Sequence, residues 1–388
     1  MALGEDFEDD ELLRLLAFMS AELFGEVKPK SQDPVGQIAG ESGPISDTAE
    51  RRHARGQIGT YSEVILLAGF RTGIFSFVVV LPNTGRLVYH DRGGMIFSDE
   101  FNFRTSGVLE RYAVLLEGVS DAQRGRDTSV VMLAQDSPEA LLALQILLEQ
   151  DLPEGLDATD ILPICTKSEK DSTMIFDTSA GDLAMMLVLE ERKSRFHRIV
   201  VHRPFYCDTS GLTGEGTRHF YGIELDERIL VHVQEDWRVT LDGMIPETDL
   251  YEILESQDVH YLPEHLFGGD VPYNTFELFG KYRTQPIPRD LLRGIRYFDT
   301  FTHGFAQRHT GKIQRFWSDY CKQPKDAVEI LPRRLHRMVF KSIPLLLSKY
   351  KSTKQLAQVV RDAVQCTFAL AFVCHSAYTE MAIFSRSR

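Results

Sequence analysis

Two glycines, a glutamine and a glutamate carry the chemistry most worth following in this sequence. Gly214 and Gly216 lie in a polar turn within the run Leu212 to Arg238. A strand-like stretch follows (Phe220, Tyr221, Ile223, Leu225), then a turn at Asp226 and Glu227, then a second stretch (Ile229, Leu230, Val231, Val233). Glycines let backbone N–H groups approach a phosphate without side-chain interference, and Thr217 and Arg218 adjoin them here. A cation on the second strand would neutralise phosphate charge, and a carboxylate on the next helix would hold that cation in place. The helix candidate is Glu247, but the strand offers Gln234, which hydrogen-bonds without carrying charge. By itself a glycine pair marks a plain turn more often than a phosphate loop.

The surrounding pattern supplies elements to hold these residues. Residues 9–24 place Leu12, Leu13, Leu16, Met19 and Leu23 at helical spacing, with acids in the first turn where the helix dipole favours them. Residues 28–46 are polar with Pro and Gly and read as a linker. Asp47 to Ala68 reads as a helix, and Gly73 to Phe97 as a meander of short strands joined by tight turns. Helices are expected over 107–118 and 137–150, the latter opened by Ser137-Pro138-Glu139. Residues 151–180 are loop-rich. Strands return at Ala184–Leu189 and His197–His202, and Pro246 to Ser256 begins with proline and acids, as helices do. Residues 268–330 mix Gly, Pro and isolated aromatics without a clear period. His336 to Phe340 is strand-like, and Thr353 to Tyr378 has a helical apolar face.

Composition narrows the class. The 388-residue chain is 43% hydrophobic, enough for packed cores in two or three domains. Its five cysteines are scattered, which argues against a zinc site or a disulfide framework. The N-terminus has no signal-like pattern, so an intracellular location, cytoplasmic or nuclear, is expected. No apolar run approaches the roughly 20 residues that span a bilayer. Residues 281–388 carry 20 Lys/Arg against 7 Asp/Glu, whereas residues 1–280 carry 23 against 49. Attraction between two parts of one protein explains this division better than nucleic-acid binding, because the basic residues are interspersed with core patterns. The histidines, His303, His309 and His336 among them, fit no metal motif and read as solvated or hydrogen-bonded groups. Asp91 and Arg92 read as a strand-end turn, and Trp237 and Phe220 as core.

A wider wording gives these residues a context. Arg55-Gly56-Gln57 with Tyr61, Arg86-Leu87-Val88 followed by Asp91-Arg92-x-Gly94, and Gln123-Arg124-Gly125-x-Asp127-Thr128 appear in that order. They are followed by Gly214-Glu215-Gly216-Thr217-Arg218, Trp237-Arg238, Glu247 with Tyr251 and Leu254, and Val259 to Pro263. Last come His336-Arg337-Met338-Val339 and Asp362 with His375, Ala377 and Tyr378. From about Arg55 onward this order resembles the fungal-type protein kinase family, the kinase-like proteins of mushroom-forming fungi. The resemblance implies an α+β chain: an N-terminal α/β extension, then a protein-kinase-like small lobe, then the beginning of a helical large lobe. The corresponding segments are 1–46 (helix and linker), 47–180 (extension), 181–345 (small lobe with insertion) and 346–388 (start of the helical lobe).

The resemblance also implies ATP and Mg²⁺ as cofactors and Gly214, Gly216, Thr217, Arg218, Gln234 and Glu247 as a degenerate nucleotide site, with residues 341–345 as the hinge. The departures fall on the chemistry. His219 replaces the third glycine, and Gln234 replaces the lysine expected three residues before Trp237. Arg218 is the neighbouring cation that could substitute. In Ala382 to Arg388 the catalytic base position is held by Ser387, whose hydroxyl cannot take a proton at neutral pH, and the magnesium-binding elements do not follow. The expectation is therefore a pseudokinase or truncated kinase with a binding or scaffold role, no catalytic residue and no metal ligand. The alternatives are an active serine/threonine kinase whose catalytic part is missing from the gene model, and a nucleic-acid- or protein-binding module using the basic C-terminal third.

Overall fold

The computed structural model describes residues 23–35, 48–166, 174–176, 183–208, 211–257, 259–308, 330–345, 352–354 and 357–365. The architecture is mixed α+β, with helices packed on two principal sheets. Helix α1 (Ala49–Ala68) starts where Thr48 accepts the Arg51 N–H, with Glu50 in its first turn. Its Ala54, Ile58 and Ile65 are fully buried. They face a mixed five-stranded sheet built from β1 (Leu23–Lys28), β2 (Ile74–Val80), β3 (Thr84–Asp91), β4 (Gly94–Phe97) and β5 (Phe101–Asn102). Strand β2 alternates buried and half-buried residues over its whole length, as a strand with one face on a core must.

Two expectations change at this end of the chain. Leu23 and Phe24, read as the end of an amphipathic helix, open β1, which pairs in parallel with β2; the rest of that expected helix lies outside the described residues. Parallel pairing needs no hairpin turn, so no local signal announces it. The stretch from 28 to 35, read as linker, is tied down. Lys28 and Asp33 are buried, and Asp33 takes the Arg86 guanidinium through Nε at 3.1 Å and Nη2 at 3.3 Å.

The second sheet is antiparallel and eight-stranded. Its members are β6 (Val130–Leu133), β9 (Leu183–Glu190), β10 (Arg195–Val201), β11 (Tyr206–Cys207), β12 (Arg218–Glu224), β13 (Ile229–Val239), β14 (His265–Asp270) and β15 (Arg333–Phe340). Their order is β14-β15-β13-β12-β10-β9-β6, with β11 beside β12. A separate short pair, β7 (Ile164–Thr166) and β8 (Met174–Phe176), lies in the loop-rich stretch before β9. The large sheet curls until β14 approaches β9, and Asp270 N–H donates to the Glu191 carboxylate at 3.1 Å. The inside of the curl is filled by Met186, Val188, Ile199, Phe220, Val231, Val233 and Val339. The outside is covered partly by α3 (Pro138–Glu149), capped by Ser137 and buried through Ala140, Ala143, Ile146 and Leu147.

Helix α2 (Val108–Gly118) lies on the first unit, and α4 (Ala158–Ile161) precedes β7. Helix α5 (Glu247–Ser256) connects β13 to β14 and packs on β14. The stretch without a clear period contains the end of β14 and helices α6 (Thr275–Tyr282), α7 (Arg289–Arg293) and α8 (Phe301–Arg308). Of the long helix expected from 353 to 378, residues 353–354 and 357–365 are helical, and the remainder lies outside the described residues.

Two of the three N-terminal motifs prove to be joints. Asp91 accepts the Thr302 and Gly93 N–H groups at 3.0 and 2.8 Å and so fixes the start of α8 against β3. Gly125 (φ +82°) lets its carbonyl take the Thr72 N–H at 2.8 Å, in a space where a Cβ would strike the Gly73 carbonyl. Arg92 reaches into the second unit, as described next.

Candidate functional site

The expected hairpin forms as β12 and β13, and its turn falls at Leu225 to Arg228. The glycine turn before it is clamped from the first sheet. Gly214 N–H donates to the Arg92 carbonyl at 3.2 Å, and Arg92 Nη1 reaches the Gly211 and Leu212 carbonyls at 3.4 Å. Gly216 is buried with φ +54°, and a Cβ there would collide with the Arg92 guanidinium. The left-handed backbone is what asks for glycine at 216, with the end of the Arg92 side chain packed against it. Thr217 gives its carbonyl to the Asp208 N–H at 2.8 Å.

Alternation along β13 separates its functional residues. Gln234, Asp236 and Arg238 point to one face, and Val233, Glu235 and Trp237 to the other. On the first face Gln234 meets Glu247 at the start of α5, its Nε2 lying 3.4 Å from Glu247 Oε2 and 3.5 Å from Asp236 Oδ2. One amide thus faces two carboxylates. Burial and the Asp236 charge push the Glu247 carboxyl up to about 7, with His336 opposing. Burial likewise pushes Asp236 up to about 6, again partly offset by His336. The exposed Glu215 adds like charge to both.

His336 stands opposite Asp236 on β15 and opposite Asp270 on β14. Its Nδ1 is 2.9 Å from Asp270 Oδ1. Asp270 also accepts both arms of Arg238, at 2.7 and 2.6 Å, and Arg334 at 3.3 Å. Burial alone would raise the Asp270 pKa, but the His336 and Arg238 hydrogen bonds hold it well below the usual carboxylate range.

Arg218, the cation that could have stood in for a lysine, lies on the opposite face. Its Nε is 2.9 Å from Glu235 Oε1, and its Nη1 reaches the Leu67 and Gly69 carbonyls. Arg337, fully buried, gives Nε and Nη2 to Glu235 at 2.8 and 2.7 Å, Nη1 to Ser129 Oγ at 2.5 Å, and Nη2 to Asp127. Burial would raise Glu235, but Arg218 and Arg337 hold it down to about 2.

The remaining expected site segments are partly visible. In the 341–345 segment, Pro344 O accepts the Tyr221 hydroxyl at 2.8 Å and Lys341 N–H donates to Glu264 O at 2.9 Å. Between this segment and Gln234 lies a ring stack: His219 Nδ1 is 2.8 Å from His232 Nε2, and His232 stacks on Phe340 with centroids 5.4 Å apart. Ser387 lies outside the described residues. Among the described residues no group of three or more His, Cys, Asp or Glu is arranged to hold a metal ion, and no helix is long and apolar enough to cross a membrane.

Sequence reasoning singled out Gln234 and Glu247, which the fold brings together. It missed Asp236, whose signal was a second acceptor two residues along the same strand. It read His336 as a solvated or hydrogen-bonded histidine; the residue is buried and hydrogen-bonded, and its place in this cluster was missed. Comparison with models of protein families, with curated proteins and with solved structures returned no match.

Proposed function

We propose that residues 181–345 are a degenerate protein-kinase-like small lobe, of the kind found in the fungal-type kinase-like proteins, and that the protein acts by binding rather than by phosphoryl transfer. The observation that supports this reading is the Gln234–Glu247 contact of 3.4 Å, between a strand and the helix that follows it. An active site of this class would place a lysine–glutamate ion pair there. Here Asp236, Glu247 and Glu215 gather with no lysine among the described residues paired to them, so the local field opposes a triphosphate instead of neutralising it. The glycine turn is drawn toward Arg92, whose guanidinium is committed to the Gly211 and Leu212 carbonyls. A binding role is also consistent with the exposed apolar side chains Val359, Val360 and Val364 on the described part of the C-terminal helix, Val360 being 54% exposed.

The test is phosphoryl transfer from γ-labelled ATP by the full chain, together with a thermal-shift titration of ATP with and without Mg²⁺. The expected result is no transfer and no nucleotide-dependent shift. Transfer that disappears in Glu247→Ala would overturn the reading.

A further inference from the structure

Away from Glu235, the curl of the large sheet encloses a second buried polar cluster. His197 shares the inward face of β10 with Ile199 and Val201 and is 2% exposed. Both of its ring nitrogens meet carboxylates. Nε2 is 2.9 Å from Glu190 Oε2 on β9, and Nδ1 is 3.1 Å from Glu224 Oε1 on β12. Both carboxylates are buried. Glu190 also accepts Arg195 Nε at 2.8 Å and Lys193 Nζ at 2.9 Å, and Glu224 accepts the Glu227 N–H. An ionised carboxylate can only accept, so each ring nitrogen has to donate, and a ring that donates from both is an imidazolium.

The surrounding charges come from every strand packed on the ring. Arg195 opposes a charge on His197, and Glu227 draws Arg195 away at 3.4 Å. Arg198, paired with Asp226, lies in charge range of Glu224. On β14, His265 feels the Glu190 charge, while burial lowers its pKa. Burial alone would lower His197 too, but its hydrogen bonds to Glu190 and Glu224 raise it above the ordinary 6.5. Burial would raise Glu190, but His197, Arg195 and Lys193 hold it down to about 2, so it stays an acceptor.

This ring lies at the seam of the curl. Among the described residues no backbone ladder joins β14 to β9 or β10. The seam closes through side chains and close packing. Phe267 on β14 lies flat on His197, with centroids 3.6 Å apart and planes 12° from parallel. A cation over an aromatic face is attracted by the ring, and the attraction grows when both are shielded from water. Three residues on, the Asp270 N–H reaches the Glu191 carboxylate at 3.1 Å, and Arg192 pairs with Glu252 of α5.

We propose that His197 is held as an imidazolium that clasps the curl shut, and that loss of its proton on the alkaline side loosens β14 from β9 and β10. Whichever nitrogen gives up its proton turns a lone pair on a carboxylate about 3 Å away, and the stack on Phe267 loses its charge. The sign follows from the raised folded value. The clasp is fully present below 6.5, the ordinary histidine value, and is lost as pH rises through the folded one. The release would reach the Gln234 face, because β14 carries the Asp270 that holds His336 and Arg238. The inference stands on this seam and does not depend on the kinase-like reading.

The experiment is a ¹⁵N titration of the histidine rings in the full chain, with His197 assigned through its contact with Phe267. Amide exchange is followed in parallel and corrected for its intrinsic base catalysis. Both His197 nitrogens should carry protons at pH 6, and one should be lost only above 6.5. With the same midpoint, protection of the Asp270 amide should fall by about tenfold, while the β12–β13 ladder keeps its protection. A change owed to Glu191 would run the other way, because that carboxylate accepts the Asp270 N–H less well as pH falls. His197→Gln, which cannot titrate, should show low Asp270 protection at pH 6 and no alkaline step. A single ring proton at pH 6, Asp270 protection that ignores the His197 titration, or the same step in His197→Gln would each overturn the proposal. The two wild-type readouts need no variant to fold.

Discussion

Three consecutive residues of β13 face opposite ways and meet opposite fates. Glu235 points into the curl of the large sheet, where Arg218 and Arg337 close on it and Asp127 balances the second cation. Gln234 and Asp236 point outward toward α5, where two carboxylates share one amide. The first cluster is as buried as the second, or more so, yet its carboxylate is held at about 2 while those of the second rise to about 6 and 7. Burial is therefore not what separates the two faces; the supply of cations is. A buried cluster with balanced charge is a structural joint, and one with surplus carboxylates keeps them hard to ionise.

The contrast can be tested from its strong side first. Glu235→Ala leaves two buried arginines without their shared partner and should cost about 3–5 kcal/mol in urea unfolding at neutral pH. A loss below about 1 kcal/mol, the range of surface pairs, would mean that the inner cluster is not a joint.

The pH dependence should be opposite on the two faces. Glu235 has its folded pKa below the ordinary 4.5, so it adds stability above that value and loses it as pH falls toward 2. Asp236 and Glu247 have folded values above 3.8 and 4.5, so the native state takes up protons and their contribution worsens as pH rises through 6 and 7. Asp236→Asn should accordingly stabilise the protein at pH 8 by on the order of 2 kcal/mol and give no gain at pH 4. Equal gains at both pH values would remove the charge explanation.

Gln234→Lys should draw Glu247 from about 7 to below its ordinary value, visible in a ¹³C carboxyl titration. The same substitution should add about 1 kcal/mol at pH 8. A Glu247 titration unmoved by the new lysine would show that the two side chains do not share a site. The smallest effect belongs to the glycine turn. Gly216→Ala should cost about 1 kcal/mol for its left-handed backbone, with little added by the contact, because the group it meets is the movable end of Arg92. A much larger loss would mean that Arg92 is rigidly held.

Local order in the sequence accounts for much of what formed. The β12–β13 hairpin followed from two alternating runs around Asp226 and Glu227, and α5 from a proline followed by acids, since these signals act over a few residues. Strand β1 was misread because its partner, β2, begins 46 residues after Lys28 and pairs without a turn. Strand β14 was missed because His265 to Asp270 contains two glycines and no run of β-branched residues, and its strand state depends on β15.

The sequence by itself determined that Gln234 and Asp236 share a face and that Glu235 takes the other, because side chains alternate along any strand. It also determined that position 234 carries no charge. Only the tertiary structure decided which of those acids would find cations. The arginines that neutralise Glu235 come from the paired strand β12 and from Arg337, 102 residues further on, and the helix that brings Glu247 to Gln234 brings no lysine with it. Charge compensation depends on distances of a few ångströms between residues far apart in the chain, and those distances exist only once the sheet has curled.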